Sequence, residues 1–95
     1  MTTACSLYSH RYPSVIIEKH HIVPKSWFEA AGKPVDTPMA DICPNCHMNV
    51  HSGIDWLIGH GGAGDSKGIP KRCMQLALQA MTLATQKGLT PARTL

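Results

Sequence analysis

Apolar positions recur at helical spacing in two stretches of this chain. From Pro44 onward, Val50, Ile54, Leu57 and Ile58 fall on one side of a helix, and proline suits its first turn. Gly53 lies inside that run and is expected to break or kink it. After Pro70, the residues Met74, Ala77, Leu78, Met81 and Ala84 form a second stripe. It predicts one helix over Lys71–Lys87, with Gly88 as its stop. A Met- and Leu-bearing stripe at this spacing reads as core. The run Val15-Ile16-Ile17 is β-branched, follows Pro13 and predicts a strand. That strand leads through Glu18-Lys19 into His20-His21-Ile22-Val23-Pro24, where Pro24 ends it or holds it at a sheet edge. Met39–Ile42 predicts a second short strand, and Lys25–Ala31 a helical turn carrying Trp27 and Phe28.

The remainder is polar or rich in Gly and Pro. Met1–Thr3 reads as disordered, Cys5–His10 as a turn or knuckle, and Pro91–Leu95 as a tail. Gly32-Lys33-Pro34 and Thr37-Pro38 mark a loop. The glycines from Gly59 to Gly64 open a flexible connection over 59–69; it lacks the Gly-Lys-Ser/Thr ending of a phosphate-binding loop and reads as a linker. With 95 residues the chain fits one domain of small size. Two Trp, two Tyr and one Phe supply little aromatic core volume, so a metal or disulfide staple is expected. No apolar run is long enough for a membrane span, and Met1–Ser6 does not open a signal peptide, which predicts a cytoplasmic protein. There, four cysteines beside histidines read as metal ligands before disulfides. A formal net charge of +3 suits a polyanion partner without demanding one.

The candidate chemistry is concentrated in Asp41–His51, where Cys43, Cys46, His47 and His51 lie within nine residues. His47 and His51 are four apart, a spacing that puts two imidazoles on one helix face within reach of one ion. His20 and His21 are neighbours, and on extended chain they point to opposite sides. That favours a split role, one nitrogen on a metal and the other free to take a proton. Cys43 and Cys46 enclose Pro44-Asn45 as the tight turn of a zinc knuckle, half of a four-ligand structural site. Cys5 and His10 would complete a site of three cysteines and one histidine. Cys73, on the second helix, is either a buried apolar residue or the replacement for His10 in a four-cysteine site.

The pair His20-His21-Ile-Val-Pro24 followed by Cys43-Pro-Asn-Cys-His47-Met-Asn-Val-His51 closely resembles the HNH endonucleases, in particular the small proteins of this family encoded by bacteriophages and bacteria. The resemblance covers Cys5 to Ser52, about half the chain. It implies an α+β fold: a small ββα-metal (His-Me finger) domain over about 5–58, with an added C-terminal helix over about 70–87 and a structural zinc knuckle, all in one domain spanning 1–95. It also implies that His20, His47 and His51 hold one catalytic divalent ion (Mg, Mn, Ni, Co or Zn) and that His21 is the general base activating water. The implied reaction is hydrolysis of DNA phosphodiester bonds, as nicking or double-strand cleavage. Two positions depart from the family pattern. The central Asn, nine residues before the metal-binding histidine, is replaced by Pro38, with Asp36 and Thr37 as neighbours able to take its place. The second cysteine of the N-terminal knuckle is replaced by Tyr8.

DNA contact is expected through phosphates, with Lys19, Lys25, Lys33, Lys67, Lys71 and Arg72 as candidates and little base readout. The resemblance further implies phage packaging proteins as partners and, for a phage protein, the host cytoplasm as its location. The rival class is a non-catalytic zinc module docking on nucleic acid or protein. In it Cys43, Cys46, His47 and His51 would share one ion, and His20–His21 would be incidental.

Overall fold

The proline-punctuated stretch up to Ile42 forms two separate strand pairings. The structure, a computed structural model, describes residues 1–60 and 68–94; the glycine-rich connection beyond His60, with Lys67, lies outside the described residues. Strand β1 (Thr2–Ala4) pairs antiparallel with β2 (Arg11–Pro13), setting Thr2 against Pro13 and Ala4 against Arg11. The expected disorder of Met1–Thr3 is therefore corrected. Arg11 donates from Nε to Thr2 Oγ1 at 2.9 Å and from Nη2 to Thr2 O at 2.9 Å, and Thr3 Oγ1 meets Ser14 Oγ at 2.6 Å. These bonds give the amino-terminal segment partners that its composition does not reveal.

Strand β3 (Glu18–His21) pairs antiparallel with β4 (Met39–Ile42), placing His20 opposite Ala40 and His21 opposite Met39. It begins later than expected, because Ser14–Ile16 forms a 3-10 turn. Val15 is 92 % exposed. The preference of β-branched residues for strands acts through packing against neighbours. Exposed in this way, Val15-Ile16 follows the turn set up by Pro13.

Helix α1 (Lys25–Ala30) starts immediately after Pro24 and buries Trp27 and Phe28. Helix α2 (Pro44–His60) leaves the knuckle directly and packs against both β3 and α3 (Lys71–Gln86). The core joins Val23, Trp27, Ile42, Val50, Ile54 and Leu57 to a small-residue stripe on α3, Cys73, Ala77, Ala80 and Ala84. This stripe keeps Ala77 and Ala84 of the expected one, with Met74 and Met81 packed partly buried against the core, while Leu78 is 48 % exposed. Gly53 shows why small residues line the contact. A Cβ there would lie 3.1 Å from Ala77 Cβ, so α2 and α3 approach at a point where neither side can carry bulk. Gly53 thus serves the packing, and α2 passes through it unbroken. Gly88 does end α3: it takes φ +69°, and Leu89 N donates to Ala84 O at 2.9 Å behind it. Among the described residues, no helix is long and apolar enough to cross a membrane.

Candidate metal centres

Strand alternation turns His20 inward and His21 outward. His20 is 1 % exposed, whereas His21 is half-buried. One turn of α2 brings His47 and His51 to face it, and the three rings stand with centroids 4.7–5.4 Å apart. Their ligand nitrogens all lie within 4.8 Å of one another.

The outer nitrogens define what the inner ones are. His47 Nδ1 lies 3.2 Å from Glu18 Oε1; a carboxylate only accepts, so Nδ1 donates. Thr94 Oγ1 donates to Asp55 Oδ1 at 3.2 Å and so accepts from His51 Nδ1 at 2.9 Å. Thr94 N also donates to Asp55 Oδ1, at 2.7 Å. With both protons committed outward, His47 Nε2 and His51 Nε2 present lone pairs to each other at 3.0 Å. Two facing lone pairs repel unless a cation lies between them. Ligand nitrogens bonded to one ion at about 2.0–2.1 Å are separated by roughly 3.0–3.4 Å, which matches. His20 Nε2 is buried without a hydrogen-bond partner among the described residues. A polar atom left so costs about 1–3 kcal/mol, a sizeable part of a small domain's stability of roughly 5–15 kcal/mol. Burial, followed by the neighbouring His47, His51 and His21, holds the His20 imidazole down to about 3, so the ring stays neutral near pH 7. Burial, with His47 beside it, also lowers His51. The three imidazoles, with His47 oriented by Glu18 and His51 by the Thr94–Asp55 pair, are competent to hold a metal ion.

These histidines open onto a cavity of about 430 Å³ that is also lined by His21, Lys19, Lys25 and Arg93. Beyond β3, Val23 N donates to Thr37 Oγ1 at 3.0 Å and Ile22 N to Pro38 O at 2.9 Å. Thr37, not the exposed Asp36, therefore ties the segment after the histidine pair to the loop before β4.

A second group assembles at the start of α2. Cys5, Cys43 and Cys46 are buried, unbridged, and have thiol sulfurs within 4.8 Å of one another. Cys46 N donates to Cys43 Sγ at 3.4 Å, the backbone-to-sulfur bond of a knuckle. Burial alone would raise the Cys5 thiol, but hydrogen bonds from the backbone of Cys43, Leu7 and Tyr8 outweigh it and bring Cys5 below its ordinary value. The Cys5–Tyr8 turn contributes one thiol to the group, and Tyr8 stands where a second cysteine was expected. The group is suited to a zinc ion.

The four ligands gathered in Asp41–His51 thus divide: Cys43 and Cys46 join Cys5, while His47 and His51 join His20. Among the described residues the four do not gather as one ligand group. His10 is not brought to the thiols; its side chain is exposed, and its carbonyl accepts from Cys5 N at 2.9 Å. Among the expected DNA contacts, Lys19 pairs with Asp41 at 2.8 Å and Lys25 with Glu29 at 4.0 Å, both exposed on the cavity side. Lys33 is turned away, its Nζ donating to Lys87 O at 2.8 Å. Arg72 donates to Leu7 O at 2.5 Å and lies over the Tyr8 ring, away from the histidines. Lys71 is exposed. Glu18, Asp55, Arg93 and Thr94 escaped sequence reasoning; only a carboxylate just ahead of the histidine pair hinted at any of them. Compared with known protein families, curated proteins and solved structures, the chain matches none.

Proposed function

We propose that the protein is a metal-dependent endonuclease of the HNH kind that hydrolyses DNA phosphodiester bonds. The observation that carries this reading is the convergence, on one cavity, of three metal-competent imidazoles, a fourth histidine outside that group, and a cationic rim. His20, His47 and His51 would hold one divalent ion, which when bound supplies Lewis acidity at the phosphate and a template for its oxygens. Mg, Mn, Ni, Co and Zn are all compatible with such ligands to differing degrees. His21 takes the proton from the attacking water, a contribution of about 10²–10⁴-fold. Lys19, Lys25 and Arg93 hold the phosphodiester backbone at the rim. The Lys19–Asp41 pair is exposed, and such pairs contribute about 0–1 kcal/mol, so exchanging Asp41 for a phosphate costs little.

Thr37 supports the reading at the place where the family pattern is broken. The family's Asn steadies the loop that follows the histidine pair; in this chain Pro38 has no side-chain hydrogen-bonding group, and the Thr37 hydroxyl makes a bond of that kind to Val23 N beside the backbone bond from Ile22 N to Pro38 O. The thiol group would carry a zinc that fixes where α2 begins, and with it the placement of His47. The same chemistry is compatible with a role beside phage packaging proteins, where a cut is made on DNA that other components hold.

The test is incubation of the protein with supercoiled plasmid at low salt across a panel of divalent metals. Nicked or linear product is expected with at least one metal, and none with His21→Ala. Absence of cleavage with every metal would remove the enzymatic reading and leave a metal-binding module.

A further inference from the structure

We infer, on the nuclease reading above, that Arg93 anchors a DNA phosphate flanking the cut and that Gly59 is the seat holding its guanidinium. His51, Asp55 and Gly59 follow one another at intervals of four on α2, a spacing that sets them in one row on the helix surface. The segment after α3 is fastened along that row. Thr94 N and Oγ1 donate to Asp55 Oδ1, and Thr94 Oγ1 accepts from His51 Nδ1. On the other side of Arg93, Ala92 O accepts from Nε1 of the buried Trp27 at 2.8 Å. Arg93 is thus held through both neighbours, while its own side chain stays exposed at the edge of the histidine cavity.

The guanidinium reaches Gly59. A Cβ added there would lie 3.1 Å from Arg93 Nη2, and among the described residues Arg93 is its one neighbour within 4 Å. An exposed helical position ordinarily favours Ala or Leu over glycine. At Gly59 the bare backbone instead makes room for the guanidinium. Eight residues at a rise of about 1.5 Å put Gly59 roughly 12 Å along α2 from His51. From that seat Arg93 does not share the phosphate at the histidines. The distance suits a phosphate a few nucleotides away, at about 3.4 Å of helix axis per nucleotide of one strand. A guanidinium can hold a phosphate through two parallel N–H bonds. Among the described residues, Lys19 and Lys25 each face a carboxylate and Arg93 faces none. DNA backbone crossing the end of α2 therefore meets Arg93 on its way to the histidines.

The test is equilibrium binding of the protein to a fluorescein-labelled DNA duplex over a range of salt, with no divalent metal added so that nothing is cut. Each phosphate contact contributes about 0.9 to the slope of log affinity against log salt. Arg93→Ala is expected to lower that slope by about one. Gly59→Leu changes no charge and suits a helix better than glycine, yet it is expected to lower the slope as far, because its side chain fills the seat. An unchanged slope in Arg93→Ala overturns the anchor, and a loss in Arg93→Ala with none in Gly59→Leu overturns its seating. Both variants should keep the wild-type affinity for manganese at the histidines. A fall there would make Arg93 a prop for Thr94 and overturn the phosphate role. If the wild type cuts plasmid with none of the metals, the nuclease reading falls while the slope still decides Arg93. If it cuts, and Arg93→Ala keeps the wild-type slope, the anchor alone falls.

Discussion

At the scale of single residues, the candidate catalytic centre depends on side chains that never touch the ion. Thr94 accepts from His51 Nδ1 and donates to Asp55, so His51 is fixed with its Nε2 lone pair inward. Loss of such an outer partner typically weakens metal binding by about 10–100-fold. Thr94→Val is expected to do so at the histidine site without unfolding the protein, and Thr94→Ser, which keeps the hydroxyl, to restore affinity; titration followed by calorimetry decides. His20 makes a pH prediction. Its folded value is near 3, pushed down first by burial. The unfolded chain protonates this ring as pH falls through about 6.5, and the folded metal-free protein does not. Stability therefore declines on acidification below about 6.5, by at most about 1.4 kcal/mol per pH unit and less where water in the cavity screens the ring. His20→Asn should flatten that decline in urea unfolding of the metal-free protein. The ligands themselves were legible in the sequence because type and spacing mark them. Glu18 and Thr94 were not, since their partners lie 29 and 43 residues away and only the fold brings them together.

At the scale of elements, the two helices were legible from their periodicity, and so was most of the face that α3 buries. Ala77 and Ala84 are buried and Met74 and Met81 pack partly buried against the core, but Leu78 is exposed, and Cys73 and Ala80 are buried in its place. The reason is close approach. Where Gly53 meets Ala77, bulk is excluded, and tight contact between small residues outweighs burial of larger ones. Gly53→Ala tests this. In an exposed helix the change would stabilise by about 1 kcal/mol. Here the added Cβ meets Ala77 Cβ at 3.1 Å, and overpacking costs about 1–3 kcal/mol. Net destabilisation is expected in thermal unfolding, and Ala77→Gly in the same chain should relieve part of it. A stabilised Gly53→Ala would mean that the helices do not approach this closely. The strands show the opposite lesson: Val15-Ile16 has the composition of a strand but lies exposed in a turn, whereas Thr2–Ala4 has polar composition and finds a partner in Arg11–Pro13.

At the scale of the whole molecule, the two ligand groups share one helix. Cys46 and His47 are adjacent in α2, so the thiol site anchors the first turn of the helix that carries half of the histidine site. Helix ends fray readily when nothing ties them down. Without an ion on the thiols, that turn loosens and His47 spends less time facing His20. The two sites are then coupled, and coupling between binding sites is reciprocal: whatever factor one ion adds to the affinity of the other is returned. Manganese, which thiolates bind poorly, reports on the histidines alone. Its affinity should be about tenfold higher in zinc-loaded than in zinc-free protein, within the usual range of such couplings. Zinc affinity should rise by the same factor when manganese is present. Equal manganese affinity in the two forms would show that the knuckle stabilises the fold without tuning the site. In that case α2 alone suffices to present His47 and His51 to His20.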